Sequence, residues 1–160
     1  MSSRRMTSDA GPGGPAGPVY SAGENVEELA HDLQPLLVQG GGRWKLSESR
    51  KGLERLFVFK TFKKTWEFMD TIAKECAVQR HHPEWSNVYN RTHIRWSTHD
   101  PSGLSNKDVR MARFCDAKAD DLGVVADMSN RDVSDGGIKK LTDHISEQSG
   151  DCCTPEKGPG

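Results

Sequence analysis

The sequence predicts an α+β domain in which one four-stranded antiparallel sheet carries three helices on one face, in the order α-β-β-α-β-β-α. Residues 53–62 form a β-rich run whose two faces are both partly apolar, and residues 85–89 and 92–98 have the pattern of two further strands. Apolar residues recur at intervals of three and four around residues 26–33, 63–80 and 105–119, as on the buried side of a helix. Two hairpins separated by a helix favour antiparallel pairing with the helices grouped together.

The first helix is predicted to begin after Asn25, because Asn25 followed by Glu28 is typical of a helix N-terminus. Pro35 ends or kinks this helix. Three consecutive glycines, residues 40–42, then break the chain before a short strand at residues 44–46.

The next strand is predicted to span residues 53–62 and to be apolar on both faces, which is typical of a central or interface strand. The long second helix is predicted at residues 63–80. Its buried side is expected to carry Trp66, Phe68, Met69, Ile72, Ala73 and Cys76. Pro83 prevents the helix from continuing and favours an extended backbone at His82.

A hairpin is predicted from strands at residues 85–89 and 92–98 that are joined at Asn90 and Arg91. On its second strand Ile94 and Trp96 are expected on one face. The other face is expected to carry His93, Arg95, Ser97 and His99.

The last helix of the predicted domain begins at Ser105, with Asp108 at the capping-box position. Its buried residues are expected to be Val109, Ala112, Cys115 and Ala119.

Both ends of the chain are predicted to lie outside the folded domain, which we place at residues 24–122. Residues 1–23 form a disordered tail rich in glycine and proline, and residues 123–160 form a polar, disordered C-terminal tail. Within this second tail a short helix at residues 138–145 is compatible with the sequence, because three apolar residues there share one face.

Charge and composition exclude several classes of function. The net charge of -1 provides no electrostatic argument for direct contact with nucleic acid or an anionic membrane. No apolar run approaches the roughly 20 residues of a membrane span, and the start of the chain lacks the apolar core of a secretory signal. Cys76 and Cys115 lie in apolar helical patterns, and the adjacent Cys152 and Cys153 form no CxxC pair. A reducing compartment without disulfides is therefore expected, namely the cytoplasm, with the nucleus as an alternative.

The chemistry-bearing residues concentrate in residues 81–99. Four of the six histidines of the chain and two of its four tryptophans fall in this segment. Histidine titrates nearest to neutral pH, with an ordinary pKa of about 6.5, so it can both donate and accept protons there. A histidine cluster beside aromatic rings suggests proton transfer on a flat, heteroaromatic substrate.

Several motifs in and after this segment resemble one known family. They are His81-His82-Pro83-Glu84-Trp85, Asn87-Val88-Tyr89-Asn90, His93-Ile94, Ser97-Thr98-His99, and Gly103-Leu104-Ser105 with Asp108. The family is that of the pterin-4a-carbinolamine dehydratases, whose members also serve as dimerisation cofactors of a homeodomain transcription factor. The resemblance extends more weakly back to Trp44 and leaves both tails outside.

The resemblance implies the dehydration of 4a-hydroxytetrahydrobiopterin to quinonoid dihydropterin and water, which recycles the tetrahydrobiopterin cofactor of aromatic amino acid hydroxylases. A general acid protonates the 4a-hydroxyl group while a base takes the proton from N5, and imidazoles can do both without a metal or a cofactor. By resemblance His81, His82 and His99 are the catalytic residues. His81 and His99 are the acid–base pair, with the direction of transfer left open, and His82 orients the ring.

The resemblance also implies four substrate-binding residues. Trp85 packs against the flat pterin, and Ser97 and Thr98 supply polar or backbone contacts. Asp108 orients a histidine through a hydrogen bond, although its capping-box position explains its presence equally well. His93 is assigned to the sheet, outside the pocket.

Two positions depart from the family pattern. Ala77 stands where a glutamate is frequent, four residues before the first histidine, and Arg80 stands where an acidic residue is common. A missing carboxylate is expected to lower activity or to alter histidine ionisation, because a nearby negative charge favours imidazolium. All three histidines remain, so catalysis is expected to survive.

Two alternatives compete with the dehydratase. A zinc or iron site is disfavoured because adjacent His81 and His82 point apart and no nearby Cys or Glu completes a ligand set. A non-catalytic oligomeric interaction module or transcriptional coactivator could use the same fold, but the histidines favour the enzyme. The expected partners are a small-molecule pterin and further copies of the chain in a homodimer or homotetramer. A protein partner stays open, and neither direct nucleic acid nor membrane binding is expected.

Overall fold

A computed structural model describes residues 16–125 and 135–148 of the 160-residue chain. Its antiparallel strands are Lys45–Leu46 (β1), Gly52–Val58 (β2), Glu84–Val88 (β3) and Arg91–Ser97 (β4). They form one sheet in the order β1-β2-β4-β3. The helices are Val26–Leu33 (α1), Phe62–Gln79 (α2), Asn106–Asp121 (α3) and Asp135–Gln148 (α4). The predicted α+β class is confirmed, and α4 is an additional helix.

Strand β2 is central, as predicted, because it pairs with β1 on one side and with β4 along its whole length on the other. Residues of β2 and β4 that face α1, α2 and α3 are fully buried; they include Leu53, Phe57, Ile94 and Trp96. Phe57 contacts Trp44 and Phe68 with ring centroids 5.7 and 4.8 Å apart, so the core is built around aromatic pairs.

The boundary between β2 and α2 differs from the prediction, which extended the strand to Phe62. The strand ends at Val58, and Thr61 caps the helix by accepting a hydrogen bond of 3.2 Å from the backbone N–H of Lys64. A threonine at this position satisfies a free helix-terminal donor, which favours starting the helix at Phe62.

The buried side of α2 also differs from the prediction. Thr65, Phe68 and Ile72 are its buried residues, whereas Trp66 is 60% exposed and stacks on the exposed Phe62. Placing Trp66 in the core was therefore wrong. Helix α2 carries apolar residues along two neighbouring stripes, and the sequence period alone does not say which stripe faces the sheet.

The first described residues are attached to the domain, although the prediction assigned residues 1–23 to a tail. The backbone N–H of Val19 donates to Arg50, and that of Ser21 donates to Leu104, at 2.9 and 2.8 Å. Gly103 permits this close approach, because a Cβ atom on it would lie 2.5 Å from the backbone nitrogen of Ser21. Residues 1–15 lie outside the described residues.

Helix α4 occupies the region where the sequence allowed only a short helix at residues 138–145 within a polar tail. It contacts β3 and β4 on the sheet face opposite α1, α2 and α3. Residues 126–134 and 149–160, including Cys152 and Cys153, lie outside the described residues, and the domain boundaries at 24 and 122 stay predictions. Across the described ranges no helix is both long and apolar enough to cross a membrane.

Candidate active site

The end of α2 places the first two histidines. Arg80 adopts a left-handed conformation with φ of 49°, and its N–H and that of His81 both donate to the carbonyl of Cys76. Pro83 then keeps the chain extended into β3, which begins at Glu84. His81 and His82 consequently lie in the short connection between α2 and β3.

His81 lies on the side of the sheet that is covered by α1, α2 and α3. Its Nε2 lies 2.6 Å from Oδ1 of Asp108, and its ring stacks on Trp96 with centroids 5.6 Å apart. The side chain of His81 is only 10% exposed, and that of Asp108 is fully buried. Trp96 was not predicted as a site residue; the sequence placed it only on the same face of the strand as Ile94.

Asp108 makes both of the contacts expected of it: it caps helix α3, and it faces a histidine. Its Oδ2 accepts hydrogen bonds from the backbone N–H of Ser105 and from Oγ1 of Thr98, both at 2.9 Å. These contacts form the predicted capping box at the start of α3, while Oδ1 faces His81. The cap therefore fixes the carboxylate against the histidine.

His99 and His82 lie on the solvent-accessible side of this cluster. Their ring centroids are 6.5 Å apart, and the side chain of His99 is 48% exposed. Nε2 of His99 lies 3.9 Å from Oε1 of Glu84. The side chain of Glu84 was not predicted as a site residue, and its place directly after the His-His-Pro motif was the available indication.

A cleft of about 210 Å³ opens beside His99. Its lining includes Ser97, Thr98, His99, Glu84, Lys51 and Arg95. Ser97 and Thr98, predicted to contact substrate, thus lie at this cleft. Thr98 also pairs with Gly103 through two backbone hydrogen bonds, so its own main chain is already engaged.

Trp85 lies apart from this cleft. It pairs with Ile94 across the β3–β4 ladder and packs, half-buried, against the hydrophobic core. The structure therefore brings His81, Asp108 and Thr98 together, and His82 with His99, but leaves Trp85 on the core side of the sheet. His93, assigned to the sheet, is buried beneath α4.

Ion pairs surround Arg95 on the face of the sheet that carries α4. Its guanidinium contacts Glu54 at 2.7 Å, Glu84 at 3.0 Å, and Asp143. Burial alone lowers the pKa of Arg95, but the hydrogen bond with Asp143 and the charges of Glu54 and Glu84 outweigh it, so the pKa is raised. Burial conversely raises the pKa of Glu54, and His93, Arg95 and Lys139 together lower it below its ordinary value. Arg95 therefore stays charged.

The two departures from the family pattern are visible in the structure. Ala77 lies exposed in the last turn of α2, and Arg80 forms its left-handed C-terminus. Neither supplies a carboxylate, whereas Glu84 does so beside His99. Among the described residues no group of three or more His, Cys, Asp or Glu side chains is arranged to hold a metal ion.

Residues 24–118 match the sequence profile of the family described as pterin 4 alpha carbinolamine dehydratase. The chain belongs to this family. A Drosophila melanogaster pterin-4-alpha-carbinolamine dehydratase is 42% identical over 95 residues, which cover 59% of this chain and 48% of that protein. The match thus spans about half the length of the Drosophila relative. A putative pterin-4-alpha-carbinolamine dehydratase of Burkholderia cenocepacia is 35% identical over 94 residues, which cover 59% of this chain and 92% of the relative.

The fold also resembles that of a solved structure. It is a transcriptional coactivator/pterin dehydratase from Brucella melitensis, with a TM-score of 0.52 and 33% sequence identity. The comparison covers 58% of this chain and 94% of that chain. Helix α4 lies beyond the residues 24–118 that match the family profile.

Proposed function

We propose that this protein is a hydro-lyase that dehydrates 4a-hydroxytetrahydrobiopterin to quinonoid dihydropterin and water, in the recycling of tetrahydrobiopterin. Membership of the family supports the reaction class. One geometric observation carries the proposal. His81 is braced by the buried carboxylate of Asp108, and the half-exposed His99, whose ring lies 6.5 Å from that of His82, lines an open cleft.

The proposed mechanism needs only two proton transfers. One imidazole protonates the 4a-hydroxyl group, the C4a–O bond breaks, and water leaves. The other imidazole takes the proton from N5, and the electron pair forms the new double bond of the quinonoid product. We assign these two roles to His81 and His99, and either residue can be the acid. After the reaction the acid regains a proton from solvent and the base releases one, so both histidines return to their starting states.

Asp108 supports this mechanism by fixing the ring of His81. A carboxylate that accepts a hydrogen bond from one imidazole nitrogen sets the tautomer and orientation of the ring, and it stabilises the imidazolium form. We propose that His82 orients the pterin and that Ser97 and Thr98 supply polar contacts from the cleft. Trp85, expected to pack against the pterin, is left out of the proposed pocket because it packs against the hydrophobic core, apart from the cleft. None of the residues to which we assign a role in this reaction is assigned as a ligand of a cofactor or of a metal ion.

Substituting His99 with alanine tests the assignment. His99→Ala is expected to slow dehydration by on the order of the 10²–10⁴-fold typical of an acid–base group, because the alanine variant can neither give nor take a proton. The measurement is stopped-flow absorbance on 4a-hydroxytetrahydropterin generated in situ by a hydroxylase. His31→Ala is the matched control, since the side chain of His31 on α1 is 91% exposed. Near-wild-type turnover in His99→Ala would remove His99 from the mechanism.

A second, protein-binding role is supported by a separate observation. Phe62, Trp66 and Val78 of α2 are all more than half exposed, and exposed apolar residues on one helix indicate an interface. We propose that this helix forms part of the interface of a homodimer or homotetramer, or of a contact with another protein. We also propose that the protein works in the cytoplasm. The Brucella relative is named both a coactivator and a dehydratase.

A further inference from the structure

Helix α4 is fixed to the sheet by specific polar contacts. Oγ of Ser86 donates to the carbonyl of Ile138 at 2.8 Å and lies 2.7 Å from Oγ1 of Thr142. The same Thr142 hydroxyl lies 3.2 Å from Nδ1 of His93. Ser86, Ile138, Thr142 and His93 are all buried, so these contacts determine where α4 lies on the sheet.

This placement brings Asp143 of α4 onto Arg95. The guanidinium of Arg95 is bound along three directions: Nε donates to Glu54, one terminal nitrogen donates to Glu84, and the other contacts Asp143 as well as Glu54. The side chain of Arg95 is only 14% exposed. Because a guanidinium is planar and rigid, carboxylates on several of its edges leave it one orientation.

Glu84 connects this cluster to His99. Its Oε2 accepts the hydrogen bond from Arg95 at 3.0 Å, and its Oε1 lies 3.9 Å from Nε2 of His99. Other charged or titratable groups near His99 include His82, whose ring lies 6.5 Å away, and Lys51 and Arg95, which line the same cleft. Glu84 therefore supplies a carboxylate to His99 in a chain that has Ala77 and Arg80 where carboxylates are common in the family.

We propose that α4 is a positioning element of the active site: Asp143 orients Arg95, and Arg95 holds Glu84 beside His99. This inference rests on the proposed dehydratase function for its kinetic consequences. It gives residues beyond the family profile a role in the reaction, although none of them touches the substrate. Glu84 and Asp143 are positioning residues, and both act through His99.

The test compares Glu84→Gln, Asp143→Asn and the double variant in the full chain. Each single change breaks one contact in the series that leads from α4 to His99, so we expect the loss in kcat while KM stays close to the wild-type value. We expect kcat to fall roughly tenfold in Glu84→Gln and by a smaller factor in Asp143→Asn, because the general acid–base group is displaced. The double variant is expected to be no slower than Glu84→Gln, since Asp143 acts through Glu84.

Two controls separate positioning from folding. Asp143→Glu retains the charge and is expected to restore most of the rate. Lys140→Gln changes a charge on an exposed position of the same helix and is expected to leave kcat and KM unchanged. Circular dichroism of each variant verifies that the fold is retained. Multiplying rate losses in the double variant, or a wild-type kcat in Asp143→Asn, would overturn the proposal.

A second readout does not depend on dehydratase activity. The ring resonances of His99 are recorded by NMR at one fixed pH in the wild type, in both single variants and in Lys140→Gln. Their chemical shifts are expected to change in Glu84→Gln and in Asp143→Asn, but not in Lys140→Gln. Unchanged chemical shifts would overturn the positioning role even in an active enzyme. Changed chemical shifts in a protein without activity would support the positioning and refute the dehydratase.

Discussion

Asp108 combines a structural contact with a contact to a proposed catalytic residue. Its two carboxylate oxygens are divided between the capping box of α3 and the imidazole of His81. The cap immobilises the carboxylate, and the immobilised carboxylate in turn limits His81 to one ring orientation. A substitution at Asp108 therefore changes stability and turnover through different oxygens, and the two effects can be separated.

We expect Asp108→Asn to fold but to lose turnover by at least about tenfold, because an amide can cap the helix but cannot stabilise an imidazolium in the same way. Asp108→Ala leaves the buried donors of Ser105 and Thr98 without their acceptor, which costs about 1–3 kcal/mol of the free energy of unfolding. Urea denaturation measures the second quantity, and the stopped-flow assay measures the first. Equal loss of stability in both variants would show that the amide does not replace the cap.

At the scale of elements, the hairpin and the last core helix were predictable because each has a local cause. Ser105 and Asp108 form the predicted capping box, and Ile94 and Trp96 face the core as their alternation indicates. The orientation of α2 was not predictable, since both of its stripes are apolar and only the sheet decides which one is buried. Helix α4 was underestimated for a related reason, because its docking depends on distant partners such as Ser86 and Arg95.

The docking of α4 is expected to weaken in acid. Burial raises the pKa of Glu54 and of Asp143, but hydrogen bonds and charges from Arg95 and Lys139, and for Glu54 also from His93, lower both below their ordinary values of 4.5 and 3.8. A carboxyl group with a lowered pKa stabilises the folded state fully above the unfolded pKa, and this contribution is lost as the pH falls through the folded pKa.

Amide resonances of α4 are therefore expected to stay unchanged from pH 7 to about 5 and to shift together below about pH 4. NMR spectra recorded over this range provide the measurement, and amides of the buried Ile72 on α2 serve as the internal control. Loss of α4 order between pH 5 and 7, with α2 intact, would contradict a contact controlled by these carboxylates.

For the whole molecule, the sequence predicted the α+β fold class, because strand patterns are local properties. His81, His82 and His99 were singled out by a dense local motif, and their catalytic roles stay a proposal. The sequence did not predict the contact of Glu84 with His99 or the attachment of residues 19–21 beside Gly103, because each joins segments that are separated in the chain. Acidic residues of the sheet and of α4 are brought together at Arg95 only after the chain has folded.

The central claim is that this protein dehydrates a 4a-hydroxypterin by using His81 and His99 as acid and base. The most direct measurement is the stopped-flow rate of dehydration with the wild-type protein, with the His81→Ala/His99→Ala double variant, and with no protein. We predict that the wild type accelerates the reaction and that the folded double variant returns it to the uncatalysed rate. No acceleration by the folded wild type, or undiminished acceleration by the double variant, would contradict it.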